Sequence, residues 1–516
     1  MITQKREEAM KKAILLVVSM LMVMLMVSVV LSAYHHEGEA DSPHFLAQYP
    51  SVAGSKLDHC ATCHTGGQYE KKPGKWVSLG SCQWCHYTYK YDGSGNIVDT
   101  LNSYGMAYLT NGRNQAALAA IEGLDSDGDG YTNAVEIAAI RYPGNDADDP
   151  SKVPAPSKVY TKAQLEAMTQ HIQFMLMNTS RSGDFYAQYT GVPVEDLLKD
   201  AGMLASATGI TIFAPDGWSN FHPLEQDTDP ELYHVNGTYP QALYYYDTQA
   251  DTALNPSSGW CDYRAPSCAG RSHNDLIVNS DGLKMILAFK REGVDLDTGV
   301  LGKDNKLVGE GPFRLVPPQK VSCPPDQASN AAEQDVIWPY DFNWDHSAGA
   351  ATRTATIIRV EPLPEGTTDI DILEAGWKYV DEGKIVVYGA IEKAPVPDIK
   401  ANGQDSPITV SSATPVSITV TLDSGDKTGQ NADWWIAAST PFFASPWNWS
   451  SYVYPAGWLP GLSATIQTSL FGLSTSFEVL NMALPPGDYT FYFAIDNNAD
   501  GVPDATWYDS VGVHVQ

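Results

Sequence analysis

Two short stretches hold the densest chemistry in the chain, Cys60-Ala61-Thr62-Cys63-His64 and Cys82-Gln83-Trp84-Cys85-His86. In each, two thiols spaced by two residues can add to the two vinyl groups of one porphyrin. The adjacent imidazole then ligates the iron, and CxxCH is the attachment signature of c-type haem. This spacing assigns thioether bonds to Cys60, Cys63, Cys82 and Cys85, and proximal iron ligation to His64 and His86. Eighteen residues separate Cys63 from Cys82, so the four thiols also fit a zinc site, and disulfides are a third pairing. A zinc knuckle does not need a His after each pair, and zinc thiolates are commoner in reducing compartments, so the pattern favours two haems. Sixth ligands are expected among His35, His36, His44, His59 and Met106. A second imidazole gives a lower potential than a thioether, and the surplus of His favours bis-His ligation with His44 and His59 as the distal pair. Trp76, Trp84, Tyr87 and Tyr89 are expected to pack on the porphyrins.

A second chemistry follows downstream. Residues 125–136 read DSDGDGYTNAVE. Asp125, Asp127 and Asp129 occupy positions 1, 3 and 5 of a twelve-residue calcium loop, and Gly130 takes the sharp turn. Tyr131 offers a carbonyl, Asn133 stands at position 9 and Glu136 at position 12. The segments NQAALAAIEGL and AVEIAAIRY predict helices on either side. Near the C-terminus, Asp496, Asn498, Asp500 and Asp504 repeat the opening without the closing Glu. That segment reads equally as an ordinary turn or as a weaker second calcium site.

The elements that must position these groups are read from the rest of the 516 residues. Residues Ala13–Ala33 are 21 uncharged, mostly apolar positions behind Lys5, Arg6, Lys11 and Lys12, which form a cleaved signal peptide or a retained N-terminal membrane anchor within residues 1–33. The remainder is therefore expected outside the cytoplasm, periplasmic or at the cell surface. Residues 34–150 form the haem and calcium region, expected to be small, irregular and mainly helical. A Pro/Lys-rich linker over Asp148–Lys162 leads to residues 163–392, which mix helix and strand signals, including a helical pattern over Ala163–Asn178. Residues 400–516 read as short alternating strands with Gly, Pro and Asp turns, predicting an all-β sandwich. The predicted fold class is thus multidomain: a dihaem region with an EF-hand-like loop, a central α+β domain and a C-terminal sandwich. Of the remaining cysteines, Cys261 and Cys268 can form a disulfide, leaving Cys323 over. Net charge is −29, from 32 Lys plus Arg against 61 Asp plus Glu, which repels phosphate backbones and excludes nucleic acid as a partner. No nucleophile elbow, zinc-protease, P-loop or dinucleotide motif is present.

The two CxxCH motifs, the DSDGDG loop and Gly309-Glu310-Gly311-Pro312 together resemble the GEGP-motif dihaem c-type cytochromes of metal-reducing bacteria. That resemblance spans most of the chain and implies an exported dihaem cytochrome. A fainter resemblance, over about residues 186–392, links GVPVEDLLKDAG, FAPDGWSNFHPLE, MILAFKREGVDL, GEGPFRLVPPQ and TIIRVEPLP to the sulfite-oxidase-type molybdopterin fold. That fold binds molybdenum through a Cys in an early strand, and no such segment precedes the matched region here; Cys261 and Cys268 lie inside an insertion instead. The resemblance implies a scaffold kept without molybdopterin, with Asp216 and His222 lining the corresponding cleft.

The expected function is one-electron transfer through two covalently bound haems, stabilised by calcium, with other redox proteins or cytochromes as partners. A carrier is favoured over a substrate-specific enzyme. Two alternatives remain at this stage. One is an oxidoreductase whose central molybdopterin-like domain feeds the haems, and the other is a calcium- and zinc-binding surface adhesion protein.

Overall fold

The computed structural model describes residues 41–58, 62–63, 68–72, 75–78, 101–180, 183–215, 218–226, 232–239, 243–246, 261–277, 279–302, 307–327, 338–371, 376–440, 448–503 and 507–516. The apolar N-terminal segment Ala13–Ala33 lies outside them, and among the described residues no helix is long and apolar enough to cross a membrane. The chain divides into two compact units, Met1–Ile391 and Glu392–Gln516.

The first unit begins with four short helices, α1 (Asp41–Gln48), α2 (Ser103–Thr110), α3 (Gln115–Ile121) and α4 (Asn133–Ala138). A two-stranded hairpin, β1 (Gln68–Lys72) with β2 (Lys75–Ser78), stands between the first two. Asn102 and Asn114 start α2 and α3, each side-chain oxygen accepting from a backbone N–H of the first turn and so satisfying a group the helix leaves unpaired. The helices bury one cluster: Phe45, Val52, Leu57, Tyr104, Tyr108, Leu118, Ile121 and Ile137, with Cys63 packed at its edge.

The rest of this unit is built on β3 (Ser157–Thr161), β4 (His171–Met177), β5 (Asp184–Pro193), β6 (Gly209–Phe213), β7 (Ser219–Pro223), β8 (Cys261–Asp262), β9 (Ile286–Arg291), β10 (Val294–Asp295), β11 (Arg314–Val316), β12 (Ile357–Glu361) and β13 (Lys384–Gly389). One sheet runs β8-β5-β9-β10, with β4 on β5 and β11 on β9. The other runs β3-β13-β12-β6-β7. The helical pattern expected over Ala163–Asn178 gives a helix only at Lys162–Ala167, and the chain then turns into β4. Six of seven β4 residues are buried, so burial on both faces overrides the helical spacing. The stretch read as a linker is not free chain. Its residues 157–161 form β3 paired to β13, and Asp148 is buried, receiving Lys56 Nζ at 2.9 Å and the Tyr142 backbone N–H at 3.0 Å. Arg141 reaches Asp371 at 2.9 Å, so charged contacts tie the helical part to the sheets.

Among the described residues the second unit is strand apart from one 3-10 turn at Gly425–Lys427, as its alternation predicts: β14 (Val396–Ala401), β15 (Ile408–Val410), β16 (Pro415–Asp423), β17 (Asn431–Ser439), β18 (Trp449–Val453), β19 (Gly457–Pro460), β20 (Ile466–Ser469), β21 (Leu473–Ala483), β22 (Gly487–Asp496) and β23 (Trp507–Val515). Sheets β14-β16-β21 and β15-β23-β22-β17-β18-β19, the latter with β20 on β17, share one core. Val416, Ile418, Val420 and Leu422 of β16 point into it at alternate positions, opposite the β22 residues Tyr489, Phe491, Phe493 and Ile495. Trp434 and Trp435 of β17 are buried.

Candidate metal centres

The calcium-type loop joins α3 to α4, and its backbone is shaped by its own carboxylates. Asp125 accepts from Gly128 N–H at 2.7 Å and Gly130 N–H at 3.0 Å, and Asp129 accepts from Tyr131 N–H at 2.8 Å. Gly128 and Gly130 have φ of +87° and +103°, a conformation that side chains other than glycine's rarely adopt. Carboxylate oxygens of Asp125, Asp127 and Asp129 lie within 4.8 Å of one another. Glu136 is 0 % exposed, and neither of its oxygens has a hydrogen-bond partner; the Asp127 and Asp129 Oδ2 atoms are likewise buried and unpartnered. Burial first, and then the charges of Asp127, Asp129 and Asp125, push the Glu136 carboxyl up to about 9. Burial and Asp129 also raise Asp127. Orphaned carboxylate oxygens crowded in this way are what a bound hard cation would satisfy, so the donor set fits calcium. Tyr131 keeps its side chain outward, which leaves its carbonyl as the relevant group. Asn133 Oδ1 accepts from Ser126 N–H at 3.3 Å and its Nδ2 donates to the Ile121 carbonyl at 2.7 Å. These bonds staple the two ends of the loop.

Of the haem-attachment residues, Cys63 is described, whereas Cys60, His64, Cys82, Cys85 and His86 lie outside the described residues, as do His35, His36 and His59. Thr62 and Cys63 are docked on the start of α2. Asn102 donates its backbone N–H to the Cys63 carbonyl at 2.9 Å and its side-chain Nδ2 to the Thr62 carbonyl at 3.1 Å. A Cβ at Gly105 would stand 2.4 Å from the Cys63 carbonyl oxygen, so the helix can approach this closely only because that residue is glycine. The half-buried Cys63 thus stands beside buried Tyr104 and Tyr108, apolar aromatic surroundings that suit a porphyrin edge. His44 on α1 bonds through Nδ1 to the Tyr108 hydroxyl at 3.2 Å, and that hydroxyl donates to Asp41 at 3.0 Å. A ligating His is commonly oriented through its other ring nitrogen in this manner. Met106 is an exposed residue of α2.

In the central region, His222 is buried. It is 1 % exposed, Nδ1 lies 3.1 Å from the Tyr233 carbonyl, and burial lowers its pKa to about 4. Asp216 lies outside the described residues. The expected Cys261–Cys268 bridge is absent, since Cys268 and Cys323 carry free thiols. Burial pushes these thiols up to about 11 and about 12, well above the ordinary thiol range. The GEGP glutamate has a structural setting that the motif alone did not reveal. Glu310 receives Arg314 and Arg291 and accepts from the Tyr189 hydroxyl at 3.2 Å.

In the second unit, Asp496 ends β22 and Asn498 and Asp500 follow it, while Asp504 lies outside the described residues. Asp433, at the start of β17 and far away in sequence, joins them: carboxylate oxygens of Asp433, Asp496 and Asp500 lie within 4.8 Å of one another. The sequence carried no local signal for Asp433, because strand register alone brings it there.

Compared with known proteins, the chain matches no family model, and no curated protein matches. Among solved structures, similarity is found to the crystal structure of Spo0M, a sporulation control protein from Bacillus subtilis, at 12% identity and a TM-score of 0.13. The match covers 24% of this chain and spans about half, 49%, of that one.

Proposed function

We propose that the protein is an exported dihaem c-type cytochrome that passes single electrons outside the cytoplasm, with a calcium loop bracing its haem region. The observation that carries this reading is the pair of CxxCH motifs in one chain behind an export-type N-terminus. Haem supplies reversible one-electron chemistry at iron, and the chain's task is to hold and tune it. Cys60, Cys63, Cys82 and Cys85 fix the rings, and His64 and His86 ligate the irons. His44, held by Tyr108, and His59 are the proposed distal pair. The seating of Cys63 on α2 supports the reading, because a thioether needs a fixed sulfur beside an apolar surface. The calcium loop closes the same hydrophobic cluster through Ile121 and Ile137. Single replacements test the assignment. His64→Ala and His86→Ala should each convert one low-spin haem to high spin, and His44→Ala should do so at one iron while both haems stay covalently attached. Unchanged low-spin spectra in all three would overturn the ligand scheme.

A further inference from the structure

We propose that Asp433, Asp496 and Asp500, together with Asn498, form a second divalent-cation site, selective for calcium, in the C-terminal sandwich. It does not depend on the haem reading or on the Asp125–Glu136 loop. Asp433 and Asp496 are directly opposite one another in the β17–β22 pairing, at 0 % and 1 % exposure. Like charges facing across a strand pair destabilise a sheet, and burying both makes this worse unless something neutralises them. Among the described residues no Lys or Arg pairs with Asp433. Its Oδ2 accepts from Gly501 N–H at 2.8 Å, whereas Oδ1 is buried with no hydrogen-bond partner. A carboxylate oxygen left bare at this depth, on a side chain held within 4.8 Å of two further carboxylates, is accounted for by a cation.

The loop supplies the remaining geometry. Asp496, Asn498 and Asp500 alternate along DNNADG, and Gly501, at φ +77°, makes the turn that follows. What the sequence lacks is an acidic residue at the twelfth position. In the fold, Asp433 from the neighbouring strand takes that part. An all-oxygen set of three carboxylates and an amide suits calcium better than magnesium, which retains several waters and uses one or two carboxylates. The alternative is that the two buried carboxyls share a proton and bind nothing.

Calcium titration of the full-length haem-loaded protein, stripped with chelator and followed by calorimetry, separates these outcomes. A background carrying Asp127→Asn and Glu136→Gln silences the first loop and should still take up one calcium per chain. Adding Asp433→Asn should abolish that uptake. Adding Asp500→Asn, an exposed position that leaves the strands intact, should weaken it roughly tenfold or more while the calcium-free melting temperature stays unchanged. No uptake in the background variant, or equal affinity with and without Asp500→Asn, would overturn the site and leave the proton-sharing pair. Loss of uptake from the first loop alone would leave the proposal standing.

Discussion

Glu136 governs how the helical region responds to pH. Its folded-state pKa of about 9 lies above the ordinary carboxyl value, so between the two the calcium-free folded state holds a proton that the unfolded chain has released. That contribution to stability is complete at low pH and is lost as pH rises through about 9. A bound calcium replaces the proton and removes the dependence. Denaturation curves of chelated protein should therefore show a midpoint that falls from pH 5 towards pH 9, with the gap between chelated and calcium-loaded samples widening over the same interval. A gap that stays constant with pH would contradict the assignment of Glu136 as a ligand. His222 loses stability in the acid direction, since its depressed pKa makes the unfolded chain the better proton acceptor there. It affects both samples alike and cancels in the difference. Gly105 offers a steric test at the same scale. Gly105→Ala puts a methyl group against the Cys63 carbonyl and the Leu101 side chain, and should destabilise the region by about 1–3 kcal/mol, read as an earlier thermal loss of the haem Soret band. A melting curve identical to the parent's would show that Thr62–Cys63 does not rest on α2.

Among the elements, the GEGP segment acts as a clamp between strands. Arg314 of β11 is buried and held by Glu310, which also receives Arg291 of β9. Glu310→Ala would leave the Arg314 guanidinium buried without its carboxylate, a loss on the order of 3–5 kcal/mol measurable by urea denaturation, with haem spectra unchanged. A change below about 1 kcal/mol would contradict a clamp role. Much of this level was legible in the sequence, because alternation in the C-terminal strands and the flanking segments of DSDGDG each obey a single local rule. Residues 168–178 were not, since a strand buried on both faces has no alternation and its run of Ile, Phe, Met and Leu imitates a helical face. The partnership of Asp433 with Asp496 was invisible for a different reason: it is set by cross-strand register over 63 positions of sequence. Asn133 also has a part that spacing alone did not show, since its side chain bonds to both ends of the loop.

At the scale of the whole molecule, a net charge of −29 would, on the proposed function, set how the protein meets a redox partner. A basic partner is attracted over a Debye length and an acidic one repelled, so electron exchange with a positively charged cytochrome should slow as salt is added. Stopped-flow reduction rates that are flat in ionic strength would place docking on a neutral surface instead. Covalent haem underlies every redox role proposed for the chain. The most direct measurement is the pyridine haemochrome spectrum, with iron and zinc analysis, of full-length protein produced in a host competent for cytochrome c maturation. Two c-type haems and two irons per chain are predicted; colourless protein carrying one zinc per chain would contradict it.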